Sequence, residues 1–174
     1  MHTWLQRLPT LLTLAIAAGL LAYGPIVQPA AYHAFADIRH WLGVPHAFDV
    51  LSNLPFALVA LIGLGTLWPR RRHPALARAW PGYALFLLAL LATAFGSTWY
   101  HLAPDDARLV WDRLPIAVAS VALLAAVRAD TAPGTRIGAW LAMLVPAAVA
   151  SVFWWQAGQV DGGGELRPYL FLQL

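Results

Sequence analysis

Apolar residues run along this chain in long blocks separated by short polar stretches. Five blocks stand out: Leu8–Tyr23, Val50–Trp68, Ala79–Tyr100, Leu109–Val127 and Ile137–Gln156. Most approach the roughly 20 residues that a helix needs to cross a bilayer. The fourth is the shortest in its core. Its uncharged part, Leu114 to Val127, rises only about 21 Å at 1.5 Å per residue. To cross, it has to begin near Leu109, which draws Asp112 and Arg113 into the outer edge of the membrane. A further apolar run starts at Pro168 and stops at Leu174, too short to span. The pattern predicts an all-α, multi-pass transmembrane helix bundle with about five full spans plus a truncated sixth. All of residues 1–174 then form one integral-membrane domain, either the front part of a longer membrane protein or an unusually short relative of one.

Composition agrees. Sixty per cent of residues are hydrophobic and 11% are charged, against about a quarter charged in a soluble domain. With no cysteine, disulfide and thiolate chemistry are excluded. All 11 basic residues are arginine. They lie between apolar blocks rather than on a soluble module, so the formal charge of +3 does not point to nucleic acid. Their placement sets orientation instead. With the N-terminus in the cytoplasm, Arg7, Arg70, Arg71, Arg72, Arg78, Arg128 and Arg136 are inside, and Arg39, Arg108, Arg113 and Arg167 are outside. Among the acids, only Asp130 then falls inside, with Asp161 and Glu165 among those outside. The first block also has features of a signal peptide, with Ala34-Phe35-Ala36 as a cleavage pattern. That pattern lies well beyond the apolar run, so an uncleaved first helix is preferred. The expected location is an integral membrane, with a bacterial inner membrane as the setting.

Under this topology polar side chains from three helices share the outer-leaflet depth. Asp49 and Asn53 lie at the outer end of the second helix, four apart on one face. Ser97 and His101 end the third in Gly96-Ser97-Thr98-Trp99-Tyr100-His101, again four apart and on one helical face. Asp112 opens the fourth in Val110-Trp111-Asp112-Arg113-Leu114-Pro115. Ionisable groups at membrane depth are costly unless paired or bound. Each has a plainer reading. Asp49 fits a helix N-cap, and Ser97 can bond a carbonyl four residues back. His101 can be a structural histidine, and Asp112 can pair with Arg113 or Arg108. Trp99, Tyr100 and Trp111 read as an aromatic belt. In combination the residues suggest a reaction site. A neutral imidazole can ligate Zn²⁺, a carboxylate can take and return the proton of a zinc-activated water, and a hydroxyl can hold the water or meet a developing oxyanion. His101, Asp112 and Ser97 supply these parts. A catalytic zinc takes three protein ligands. His33, His40 and His46 in the outer loop could add to them, but their spacing is not that of a ligand pair and they read as surface residues. His2 and His73 fall on the other side. A Ser97–His101 dyad is the rival mechanism, without a G-x-S-x-G elbow to support it.

At these residues the chain resembles the alkaline ceramidase family, within the seven-helix membrane hydrolases that include the adiponectin-receptor-like proteins. The matching pieces are Phe48-Asp49-Val50-Leu51-Ser52-Asn53-Leu54-Pro55, Gly96 to His101, and Leu109-Val110-Trp111-Asp112-Arg113-Leu114-Pro115. Gly164-Glu165-Leu166-Arg167-Pro168-Tyr169 is similar to the bacterial members, and the resemblance runs from about residue 30 to the end. It implies that His101 is a zinc ligand and that Ser97 and Asp112 assist a water in cleaving the amide of a ceramide. Asn53 matches a structural position. The family's other two ligands are a His-x3-His pair in the last helix, which this sequence does not contain, so these 174 residues by themselves are expected to show little activity. The family's calcium-binding acids are not matched between Ala30 and His46, where Asp37 stands alone.

The leading expectation is therefore a zinc-dependent membrane hydrolase acting on ceramide or a related lipid amide, with the lipid bilayer as its partner. The alternatives are a non-catalytic receptor-like or transport protein using the same polar cluster, and an inactive truncated fragment.

Overall fold

The computed structural model describes residues 3–159 and 163–173, and the sequence readings of His2, Asp161 and Leu174 lie outside them. Within the described residues every regular element is a helix; the only pairing of extended chain is two isolated bridges, Val27 with Glu165 and Trp41 with Val44. The helices are α1 (Thr3–Tyr23), α2 (Ala47–Leu51), α3 (Leu54–Leu67), α4 (Pro74–Ala77), α5 (Trp80–Leu102), α6 (Asp106–Thr131), α7 (Ile137–Gly158) and α8 (Arg167–Phe171). A 3₁₀ turn, Trp68–Arg70, extends α3.

Four helical stretches are long and apolar enough to cross a bilayer: Ala47–Arg70, Trp80–Leu102, Asp106–Thr131 and Ile137–Gly158. They make the protein an all-α, multi-pass integral-membrane bundle. The first expected block is also helical, with its apolar part running Arg7–Tyr23. It stands to one side, touching α8, where the Arg167 guanidinium donates to the Leu20 carbonyl at 3.3 Å. Leu14 and Leu21 on α1, Leu58 and Ile62 on α3 and Phe95 on α5 are exposed. Such an apolar surface suits lipid rather than water.

The core lies along α6, which packs against α5 on one side and α7 on the other. Its inner face is small: Ala117, Ala122, Ala125, Ala126 and Ala129 are fully buried. Small side chains let helix backbones approach closely, which is how helices associate where lipid removes the hydrophobic drive. Two glycines of α5 complete the fit. A Cβ on Gly82 would press on Ala122 and Ala126, and one on Gly96 would run into the Trp111 carbonyl. Pro115 explains that second contact. It has no N–H to offer the carbonyl four residues back, so the Trp111 oxygen lacks its usual helical donor and faces Gly96 instead.

The fourth block is longer than its apolar core suggests. α6 has 26 residues, a rise of about 39 Å. Asp105 starts it, accepting from the Arg108 backbone N–H at 2.7 Å, as an N-cap should. The helix can carry Arg113 because the charge is housed within the protein. Arg113 is buried, donates to Gln28 Oε1 at 2.9 Å, and lies 4.0 Å from the Trp155 ring centre, with Tyr32 and Tyr169 also facing it.

The two ends of the bundle differ in chemistry. At one end Arg78 donates to the Asp130 carbonyl and Tyr83 donates to the Asp130 carboxylate, tying the start of α5 to the end of α6. The Arg70–Arg72 run, Arg128 and Arg136 belong to this end. The other end gathers the starts of α2 and α6, the end of α5, and the loop from Gly24 to His46.

Candidate functional site

The site is built outward from a loop carboxylate. Asp37 is buried and accepts from the backbone N–H groups of Phe48 at 2.8 Å, Arg39 at 3.2 Å and Asp49 at 3.4 Å. Burial pushes its pKa up, but these donors and the nearby Arg39 guanidinium outweigh that and hold it below the usual carboxylate value. Asp37 therefore serves the free N–H groups at the start of α2. His46 precedes that helix in the left-handed region, at φ 47°, and donates from Nδ1 to the Asp37 carbonyl at 2.5 Å.

Asp49 is thereby released from capping. The N-cap reading from sequence is replaced by Asp37, twelve residues earlier, and Asp49 sits inside the first turn of α2. Its carboxylate reaches towards α5 and stands 3.8 Å from His101 Nδ1. Asn53 is buried and donates back to the Asp49 carbonyl at 3.1 Å, which closes the α2–α3 junction and fits a structural role.

Ser97 and His101 occupy the last two turns of α5. Ser97 is buried. It makes no bond to the carbonyl four residues back among the described hydrogen bonds, unlike Thr93, which does so at 2.9 Å. Instead it lies beside the Asp112 carboxylate. The Gly96 contact sets this up, because it brings the α5 backbone onto Trp111 and Asp112 of α6. The His101 ring is covered by Phe35, with ring centres 4.7 Å apart, and the titratable groups facing it are Asp49, Asp112 and His46. Asp112 pairs with neither arginine proposed for it. Arg113 turns to Gln28 and the aromatic rings, while Arg108 lies 3.5 Å from Asp105 and stacks over Trp99.

Two polar atoms here are sealed from solvent without a hydrogen-bond partner among the described residues: His101 Nδ1 and Asp112 Oδ1. Orphaned buried groups are rare and mark a site under constraint or awaiting a ligand. Asp112 and Ser97 also open onto a cavity of about 420 Å³ lined by Phe56, Phe86, Leu90 and Ile116. This places two polar groups at the head of an apolar chamber, the usual composition of a small-molecule site. A larger apolar groove, of about 820 Å³, runs over the outer face of α5 and α6 past Gly96 and Trp111 and touches none of Ser97, His101 and Asp112.

The other histidines are accounted for. His33 is not a free surface residue: Nε2 donates to Asp106 at 3.1 Å, and Nδ1 is 2.9 Å from the Tyr100 hydroxyl. His46 is half-buried and engaged at Nδ1. His40 is exposed. His73 caps α4 at the opposite end of the bundle. Tyr100, grouped with the aromatic belt in sequence, is buried in the core, while Trp99 and Trp111 are exposed as a belt requires. Among the described residues, no three His, Asp or Glu side chains are arranged to hold a metal ion. His101 fits as one ligand, with a half-buried ring whose Nδ1 is unsatisfied, but the set of three that a catalytic zinc takes is not completed by the described residues. Sequence pattern does not reveal Phe35 and Asp37 as builders of this site, because they lie in an irregular loop that has no periodicity to read.

No family model matches the chain, and no curated protein or solved structure matches it significantly.

Proposed function

We propose that the protein is a ceramidase-like membrane hydrolase that cleaves the amide bond of ceramide or a related lipid amide. The observation that supports this best is the meeting of Ser97 and Asp112, from two helices, at the head of an apolar cavity, beside the unsatisfied imidazole of His101. A lipid amide has the matching form, with a polar linkage to be cut and alkyl chains to be housed. In this reading His101 is one ligand of a zinc ion. When bound, the zinc would polarise the amide carbonyl and activate a water.

The chain's own groups then divide the work. Asp112 accepts the proton of the attacking water and returns it to the leaving amine. Ser97 holds the water against Asp112 or donates to the developing oxyanion. The arginine distribution supports a cytoplasmic N-terminus, which puts the site in the non-cytoplasmic leaflet, where a bacterial inner membrane would present lipid substrate to it.

The test is zinc content and ceramide turnover in the protein at its native length, with His101→Ala and Ser97→Ala alongside. His101→Ala should lose both zinc and activity. Ser97→Ala should keep zinc and lose part of the rate. A Ser97→Ala protein that is folded, holds zinc and is dead, with an acyl-serine trapped in the parent, would replace water attack by serine attack. Unchanged zinc and turnover in His101→Ala would remove the proposal.

A further inference from the structure

We infer that Asp49 is the positioning carboxylate of His101: it holds the proton on Nδ1 and turns Nε2 out as the ring's free lone pair. The inference deepens the proposed site but does not need zinc or ceramide to be tested.

Four observations carry it. First, His101 Nδ1 is sealed from solvent and has no hydrogen-bond partner among the described residues. A buried ring nitrogen without a partner is costly. Second, the carboxylate oxygen nearest to it is Asp49 Oδ2, at 3.8 Å, just beyond hydrogen-bond length. Third, Asp49 has been left free to do this. The backbone N–H groups at the start of α2 are met by Asp37, and the Asp49 contacts to Ser52 and Asn53 use its main-chain carbonyl rather than its side chain. His101 is the one ionisable side chain within 4.0 Å of the Asp49 carboxylate as a salt-bridge partner among the described residues. Fourth, the ring has little freedom to turn away. Phe35 packs against it with ring centres 4.7 Å apart and planes tilted by 46°, and Phe35 is itself packed against His46 and Tyr100.

The chemical consequence follows from the two nitrogens of imidazole. A carboxylate can only accept, so the nitrogen facing it must carry the proton. In a neutral ring the other nitrogen then carries the lone pair. An orienting carboxylate of this kind fixes tautomer and direction together, and the same device serves a metal-ligating histidine and a histidine base. Asp49 thus acts through His101 and touches no reacting atom. Asp112 also faces the ring, and it lines the cavity together with Ser97.

The experiment reads the tautomer directly. The full chain is labelled with ¹⁵N at histidine and held in lipid nanodiscs at a pH where the imidazole is neutral. The His101 signals are assigned by their loss in His101→Gln. The parent should show Nδ1 protonated and Nε2 pyridine-like, the form that free histidine disfavours in water. Asp49→Leu, similar in size and without an acceptor, should shift the ring to the Nε2–H form. Asp49→Asn, whose amide oxygen still accepts, should keep the parent tautomer. It also serves as the control if the leucine variant does not fold. A parent ring already in the Nε2–H form overturns the inference, as does a folded Asp49→Leu protein with unchanged His101 shifts, or an Asn variant that loses the parent tautomer. A protein with the expected tautomers and no ceramide turnover would leave the positioning role standing and remove only the ceramidase reading.

Discussion

Asp37 shows how far one side chain can act from its own position. A single loop carboxylate starts α2, holds His46 through its main chain, and frees Asp49 to face His101. Its pKa is lowered in the folded protein, so its contribution is fully present above the unfolded carboxylate pKa and is lost as pH falls through the lower, folded value. Asp37→Asn should therefore destabilise the protein at neutral pH and narrow the difference from the parent in strong acid. Thermal unfolding in nanodiscs at both pH values checks this, and an equal effect at both would contradict it. Nothing near Asp37 in the sequence announces this, because the bonded N–H groups are up to twelve residues away and the intervening loop has no repeat. Ser97, His101 and Asp112 were legible because two of them share a helical face and the third stands out as an acid in an apolar block. The partners of Arg113 were not. Gln28 and Tyr32, Trp155, and Tyr169 come from three separate parts of the chain.

At the scale of elements, the site depends on where α5 and α6 touch. Gly96 permits the approach, and Pro115 frees the Trp111 carbonyl that fills it. A methyl group at position 96 meets main chain, which cannot move aside as a flexible side chain can. Gly96→Ala should cost about 1–3 kcal/mol, as overpacking in a well-packed core does. It should also part Ser97 from Asp112, so that stability and site geometry fall together. Equilibrium unfolding in detergent, with a crosslinking test between cysteines at 97 and 112, measures both. Wild-type stability with unchanged crosslinking would mean that the glycine is incidental. The long apolar blocks made the helices themselves readable, since length and hydropathy are local properties. The extent of α6 was less so, because a helix can carry Arg113 through the membrane edge only if other elements house the charge. That depends on tertiary packing.

For the whole molecule, the two chemically distinct ends give the bundle a direction. One end carries the arginine run at 70–72 with Arg78, Arg128 and Arg136, and the other carries the candidate site. The arginine bias predicts the first in the cytoplasm. A cysteine at Ala75, exposed beside the arginine run, should resist a membrane-impermeant thiol reagent in intact cells, and one at Ala103, exposed beside His101, should react. The reverse pattern would move the site to the other leaflet. The proposed lipid-amide hydrolysis by the polar groups that meet between α5 and α6 is tested most directly at Asp112. Ceramide hydrolysis by the protein at its native length should fall by roughly 10²–10⁴-fold in Asp112→Asn, the usual worth of a positioned proton acceptor, while zinc content stays near that of the parent. Full activity in Asp112→Asn, or a parent protein that carries its metal and leaves ceramide uncut, would contradict the account.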